Sequence, residues 1–167
     1  PEKNPELLVS AWKEAGKSTR DSHLKLVVVG DGPSLADLQK QLPEAIFTGA
    51  RTGDELARIY ASADIFVFPS LTETFGNVTS EAMACGVPVV AARATGAMDL
   101  VVEGETGFLV PPRDVTAYAD AIERLARDAA MRRRFGKLGH QRMQDHVWPR
   151  VNQTVLDAYH ELMAAKG

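Results

Sequence analysis

Glu73-Thr-Phe-Gly-Asn-Val-Thr-Ser-Glu81 is the stretch that decides the fold: two carboxylates bracket seven residues, with Gly76 between them. The apolar run Ile65-Phe-Val-Phe68 precedes it and reads as a strand. Ser80-Glu-Ala-Met-Ala-Cys85 follows and reads as a helix. The first acid therefore falls on a strand-to-helix turn and the second inside the helix. The first turn of a helix has unpaired N–H donors and the positive end of a dipole, which suits an anion. A carboxylate at the mouth and another a turn or two along can each accept hydrogen bonds from hydroxyls. An anion site and hydroxyl acceptors in one cluster suit a nucleotide sugar.

Outward from this stretch, strands and helices alternate. On the N-terminal side, Pro5 opens a helix with Leu7, Leu8, Ala11 and Trp12 at helical spacing and Gly16 as its stop. Lys17 to Ser22 reads as a loop, Leu24 to Val29 as a buried strand, and Gly30-Asp-Gly-Pro33 as a turn. Ser34 caps a helix with Leu35, Leu38 and Leu42 inward. Ala45 to Thr48 is a strand ended by Gly49, and a helix beginning at Thr52 or Asp54 leads to a strand over Ala63–Phe68. On the C-terminal side, the helix carrying Glu81 ends at Gly86, and Pro88–Ala92 is a strand. Thr95-Gly96 turns into a short helix through Val102, Gly104–Gly107 reads as a hairpin-type turn, and Phe108–Val110 is the last strand. Asp114 caps a helix through Leu125, and Met131–Met143 is helical again. The last segment, about 148–165, breaks at Trp148-Pro149 and ends in a helix over Val151–Met163. Five strands in this alternation predict an α/β fold, a doubly wound, Rossmann-like parallel sheet. Ligands of such sheets bind at the carboxyl ends of the strands, where the four loops 30–33, 48–51, 70–78 and 93–96 converge.

A chain of 167 residues is one domain, 1–167, long enough to bury roughly 70% of its unfolded surface. Its 45% hydrophobic and 25% charged residues are ordinary for a globular protein. A net charge of −3 offers no basic surface to nucleic acid. Arg132-Arg-Arg134 reads as the wet face of a helix. The one cysteine, Cys85, excludes an internal disulfide, fits a reducing, cytoplasmic compartment and reads as a small core residue. The four histidines are scattered, so no metal-ligand pattern forms. No apolar run approaches the eighteen residues of a membrane span. The opening, Pro1-Glu-Lys-Asn-Pro5, reads like the interior of something longer.

The Glu73–Glu81 stretch, continued by Ala82-Met-Ala-Cys-Gly-Val-Pro-Val-Val-Ala91, resembles the E-x7-E signature of retaining glycosyltransferases of the GT-B fold, glycosyltransferase family four. The likeness runs from Glu2-Lys-Asn4 to the last helix. It implies the C-terminal, donor-binding half of a GT-B architecture, with the strand that usually precedes Glu2-Lys-Asn4 missing. The implied reaction moves a hexose from a UDP- or GDP-sugar to a hydroxyl acceptor, without a metal. The acceptor site would belong to an N-terminal domain, as would any peripheral membrane association. The domain alone would bind donor weakly and be inactive.

The resemblance also assigns roles. Glu81 would accept hydrogen bonds from the ribose hydroxyls, and Glu73 would contact and orient the transferred sugar. A double displacement would need a nucleophile, for which Glu73 is the only local candidate; the resemblance instead implies a front-face reaction, in which the leaving diphosphate helps deprotonate the acceptor and Glu73 binds and orients the sugar. Phe75, Gly76, Asn77 and Val78 would present backbone N–H groups to the diphosphate. Lys3 would pair with the donor phosphates and offset charge on the departing diphosphate. Gly30 and Gly32 would border the pocket, and Arg51 would lie at the base. Read from the residues alone, Glu81 is equally a solvent-facing helix glutamate, the Gly30–Pro33 run a tight turn, and Lys3 a solvated lysine. Two other functions fit the architecture: half of a sugar-nucleotide epimerase, or a catalytically silent module that associates through Arg132–Arg134 and the last helix. An exposed apolar strip on that helix would lead to weak self-association.

Overall fold

The computed structural model describes residues 3–18, 24–72, 76–94 and 96–145. In chain order they form α1 (Pro5–Ser18), β1 (Val27–Val29), α2 (Leu35–Gln41), β2 (Ile46–Gly49), α3 (Gly53–Ala61) and β3 (Phe66–Phe68). There follow α4 (Asn77–Ala84), β4 (Val89–Ala92), α5 (Ala97–Leu100), β5 (Gly107–Val110), α6 (Val115–Arg127) and α7 (Ala129–Asp145). Every pairing is parallel, as the alternation of strands with helices requires.

The ladders form two sheets, β1-β2 and β3-β4-β5. No ladder joins the two sheets among the described residues, and helix α1 packs on both. Leu7 and Ala11 pack with Val90, Phe108 and Tyr118 and against Val67. Val9 packs with Leu38 and Leu42 and against Leu26 and Phe47.

The larger sheet shows the two-residue period of a strand buried on both faces. Phe66, Val89, Ala91 and Leu109 face a cluster with Tyr60, Met83, Leu100 and Met143. Val67, Val90, Phe108 and Val110 face the other side, with α6 and Phe135. Each fully buried large apolar side chain contributes about 1.5–3 kcal/mol. The outer edge of β5 is closed by side chains: Glu103 Oε2 accepts from Leu109 N at 2.7 Å, and Arg93 Nη2 donates to Leu109 O at 3.1 Å. Helix α7 lies so close to the end of α4 that a Cβ on Gly136 would collide with Gly86 O. Basic groups of α7 serve the carbonyls of three helix ends. Arg132 donates to Leu125 O and Ala126 O, His140 Nδ1 lies 2.6 Å from Ala84 O, and Arg142 Nε donates to Leu100 O at 2.8 Å.

Several local expectations change. Residues 24–26 and 63–65 precede their strands rather than forming them, and α1 runs through Gly16 to Ser18. Ser34 makes no capping bond, since its own backbone is helical (φ −83°, ψ −5°), whereas Asp114 Oδ1 does accept from Ala117 N at 2.9 Å. Gly104 N donates to Gly107 O, but the strand that follows is parallel to β4, so the turn closes no hairpin. Arg132 is half-buried against α6 and 3.6 Å from Asp64, not on a wet face. Cys85 is exposed, because it is the C-cap of α4 and off the buried stripe of Thr79, Ala82 and Met83. The final segment, 148–165, lies outside the described residues. Among those residues no helix is long and apolar enough to cross a membrane.

Candidate functional site

The loops leaving the strands' carboxyl ends build the site. Gly30 (φ +123°) and Gly32 (φ +157°) turn the chain out of β1 in conformations that favour glycine, and nothing lies within 4 Å of where a Cβ on either would stand. Gly30 N donates to Gly49 O at 2.9 Å, which ties this turn to the loop carrying Ala50 and Arg51. Arg51 is exposed, with Nε 3.9 Å from Glu55. Such a pair is worth under about 1 kcal/mol, so a ligand displaces it at little cost. Lys3 is exposed just ahead of α1. Pro5 and Glu6 share a groove of about 210 Å³ with Ser34, Asp37, Leu38 and Lys40, so α1 starts beside α2, near the Gly30–Gly32 turn.

Helix α4 begins from Gly76, which is left-handed (φ +64°, ψ +29°) and buried. A Cβ there would stand 2.6 Å from Leu100 Cδ1 and 3.1 Å from Gly96 O. The glycine therefore lets the loop before α4 press against the start of α5. Among the described residues no side chain caps α4, and its first intrahelical bond is Ser80 N to Gly76 O at 2.8 Å. Asn77 and Val78 form its first turn, exposed and half-buried respectively. Ser80 Oγ is taken by Asn77 O at 2.8 Å, and Thr79 is fully buried with no partner among the described residues.

Glu81 is exposed, one turn further along. Tyr60 Oη donates to its Oε2 at 3.2 Å. Tyr60 is buried on α3, edge-on to Phe66 with ring centroids 5.5 Å apart. Burial, and then the charge of Glu81, push the Tyr60 hydroxyl well above its ordinary value, so it stays a donor. Burial and Glu81 likewise push the Cys85 thiol up.

The structure thus gathers Gly76, Asn77, Val78 and Glu81 on one helix, and Gly30, Gly32 and Arg51 on two linked loops. Glu73 and Phe75 lie outside the described residues. Tyr60 was missed by sequence reasoning. It stands 21 positions before Glu81, on a different helix. Among the described residues no group of three or more His, Cys, Asp and Glu side chains is placed to hold a metal.

Residues 1–128 match the family model described as Glycosyl transferases group 1. A sulfoquinovosyl transferase of Arabidopsis thaliana is 40% identical over 152 residues, which cover 88% of this chain and 29% of that protein. A GDP-mannose-dependent alpha-mannosyltransferase of Corynebacterium glutamicum is 39% identical over 150 residues, 90% of this chain and 36% of that protein. The fold superposes on Anabaena HepE, solved in complex with UDP and glucose, with a TM-score of 0.81 and 26% identity over 96% of this chain and 45% of that one. The chain spans about a third of the length of the two curated relatives. With a Rossmann-like half of a GT-B architecture and a family match over most of its length, this chain belongs to the group 1 glycosyl transferases.

Proposed function

We propose that this chain is the donor-binding domain of a retaining glycosyltransferase that moves a hexose from a nucleoside diphosphate sugar to a hydroxyl. The observation that carries the reading is α4: a helix start at Gly76, with no capping side chain among the described residues, at the carboxyl edge, and an exposed carboxylate, Glu81, on the same helix. The relatives support it, since one is named for GDP-mannose and a structural neighbour was solved with UDP and glucose.

In this reading the N–H groups at the start of α4, from Phe75 to Val78, meet the diphosphate, helped by the helix dipole. Glu81 accepts from the ribose hydroxyls, Lys3 offsets phosphate charge, and Arg51 with the Gly30–Gly32 turn borders the base. Glu73 orients the sugar. The bond from the anomeric carbon to the diphosphate breaks as the acceptor oxygen bonds to the same face of that carbon, and the acceptor proton passes to a phosphate oxygen. No metal takes part. The acceptor is held by a second domain, so this chain alone binds donor weakly and does not turn over. A Kd near 1 mM corresponds to about −4.1 kcal/mol.

The test is an NMR titration with UDP and with GDP, beside Glu81→Ala. Shifts of the α4 and Gly30–Gly32 amides with one nucleotide, lost in the variant, are expected and name the base. Binding undiminished in Glu81→Ala, or robust transfer by this chain alone, overturns the corresponding part of the reading.

A further inference from the structure

An exposed glutamate on a helix normally samples many rotamers, and fixing it on a ligand costs up to about 1.5–2 kcal/mol of side-chain entropy. Glu81 is not in that position. Tyr60 reaches it from α3, across the α3–α4 contact, and engages one of its two oxygens. The tyrosine itself is 8% exposed and locked between α3, α4 and β3, in a cluster with Met83 and beside Phe66. None of the ion pairs among the described residues involves Glu81.

We propose that Tyr60 is a positioning residue for Glu81: its hydroxyl fixes Oε2 so that Oε1 is left to accept from the ribose hydroxyls of a nucleotide. The proposal rests on the reading of Glu81 as the ribose acceptor. A phenol suits the task better than a cation would. An arginine or lysine at this place would neutralise the carboxylate and weaken it as an acceptor, whereas a neutral donor orients it and leaves its charge for the ligand. The ring has two torsions and is packed, so holding Glu81 costs little further order.

The experiment compares UDP and GDP with their 2′-deoxy and 3′-deoxy counterparts on the wild-type chain, Tyr60→Phe and Glu81→Gln, each by NMR titration. Tyr60→Phe keeps the ring against Phe66, and its melting curve checks the fold. The expected result is a loss of about three- to tenfold in ribonucleotide affinity for Tyr60→Phe, with deoxynucleotide affinity within about twofold, so that discrimination between them shrinks. In wild-type protein labelled at the tyrosine ζ-carbon, the Tyr60 signal is expected to move when the ribonucleotide binds and to stay still with the deoxynucleotide. This second readout needs no variant to fold. Equal weakening of both nucleotides, or none, with wild-type discrimination intact and a still Tyr60 signal, overturns the positioning role alone. Absence of discrimination in wild type overturns the Glu81 reading, and the positioning role with it.

Discussion

Gly76→Ala tests how α4 is launched. At φ +64° a side chain costs about 1–2 kcal/mol, because its Cβ crowds the following carbonyl. The new methyl would also stand 2.6 Å from Leu100 Cδ1 and 3.1 Å from Gly96 O. The leucine methyl is the end of a flexible side chain and can rotate away, but the carbonyl belongs to the backbone and must shift. Overpacking of this kind adds about 1–3 kcal/mol, so a total near 2–4 kcal/mol is expected after partial relaxation. That is a large share of the roughly 5–15 kcal/mol that holds a domain together. For a chain of this size it lowers the melting temperature by roughly 4–16 °C. Calorimetry on wild type, Gly76→Ala, Leu100→Ala and the double variant separates the terms. Leu100→Ala should cost less in the alanine background than in wild type, because it removes one of the two clashes. Gly76→Asn carries the same Cβ but tolerates a left-handed φ, so it should recover the backbone part only. Gly76→Ala within about 0.5 kcal/mol of wild type, or strict additivity with Leu100→Ala, would refute the argument.

Tyr118 is fully buried and its hydroxyl has no partner among the described residues. Tyr118→Phe should therefore stabilise the fold by about 1 kcal/mol, seen as a higher urea midpoint at unchanged slope. Both Tyr60, by burial and Glu81, and Tyr118, by burial, ionise well above their ordinary value of 10.0. Above pH 10 the unfolded chain loses these protons while the folded one keeps them, so stability falls as pH rises; urea midpoints at pH 9 to 11 should fall less steeply in Tyr118→Phe. The raised Cys85 thiol is a poor thiolate despite its exposure, and Glu81→Gln, by removing one of the two causes, should speed its reaction with iodoacetamide at pH 8. Gly136→Ala drives a methyl into Gly86 O and should cost about 1–3 kcal/mol by thermal unfolding; a neutral result would mean that α7 is not seated against α4.

What the sequence makes legible is what is decided locally. Asp114 reads as a cap because the carboxylate, the extended Ncap backbone and Ala117 N lie within one turn. The helix carrying Glu81 and the glycine that begins it read from the same kind of signal. Strand limits do not, because a strand ends where its neighbour's ladder ends. Ile65 is as apolar as many strand residues, yet pairing starts only at Phe66, opposite Val89. Arg132 and Cys85 misled for a related reason. Composition cannot show that α7 folds back so that an arginine meets the end of α6, or that a cysteine among apolar neighbours falls at a helix end. The Tyr60–Glu81 bond is tertiary and left no periodic trace.

Among the described residues the β1–β2 and β3–β4–β5 ladders share no rung, and this alters how a disturbance travels between them. In an unbroken parallel sheet, a shift at one loop passes to the next along rungs of backbone hydrogen bonds. Here the described ladders supply no such rung between the Gly30 side and the α4 side. Communication between them runs instead through the side chains of α1, with Leu7 and Ala11 on one sheet and Val9 on the other, and through α3, whose Tyr60 ends on Glu81. Amide exchange should therefore resolve two separately opening units, with α1 as the bolt between them.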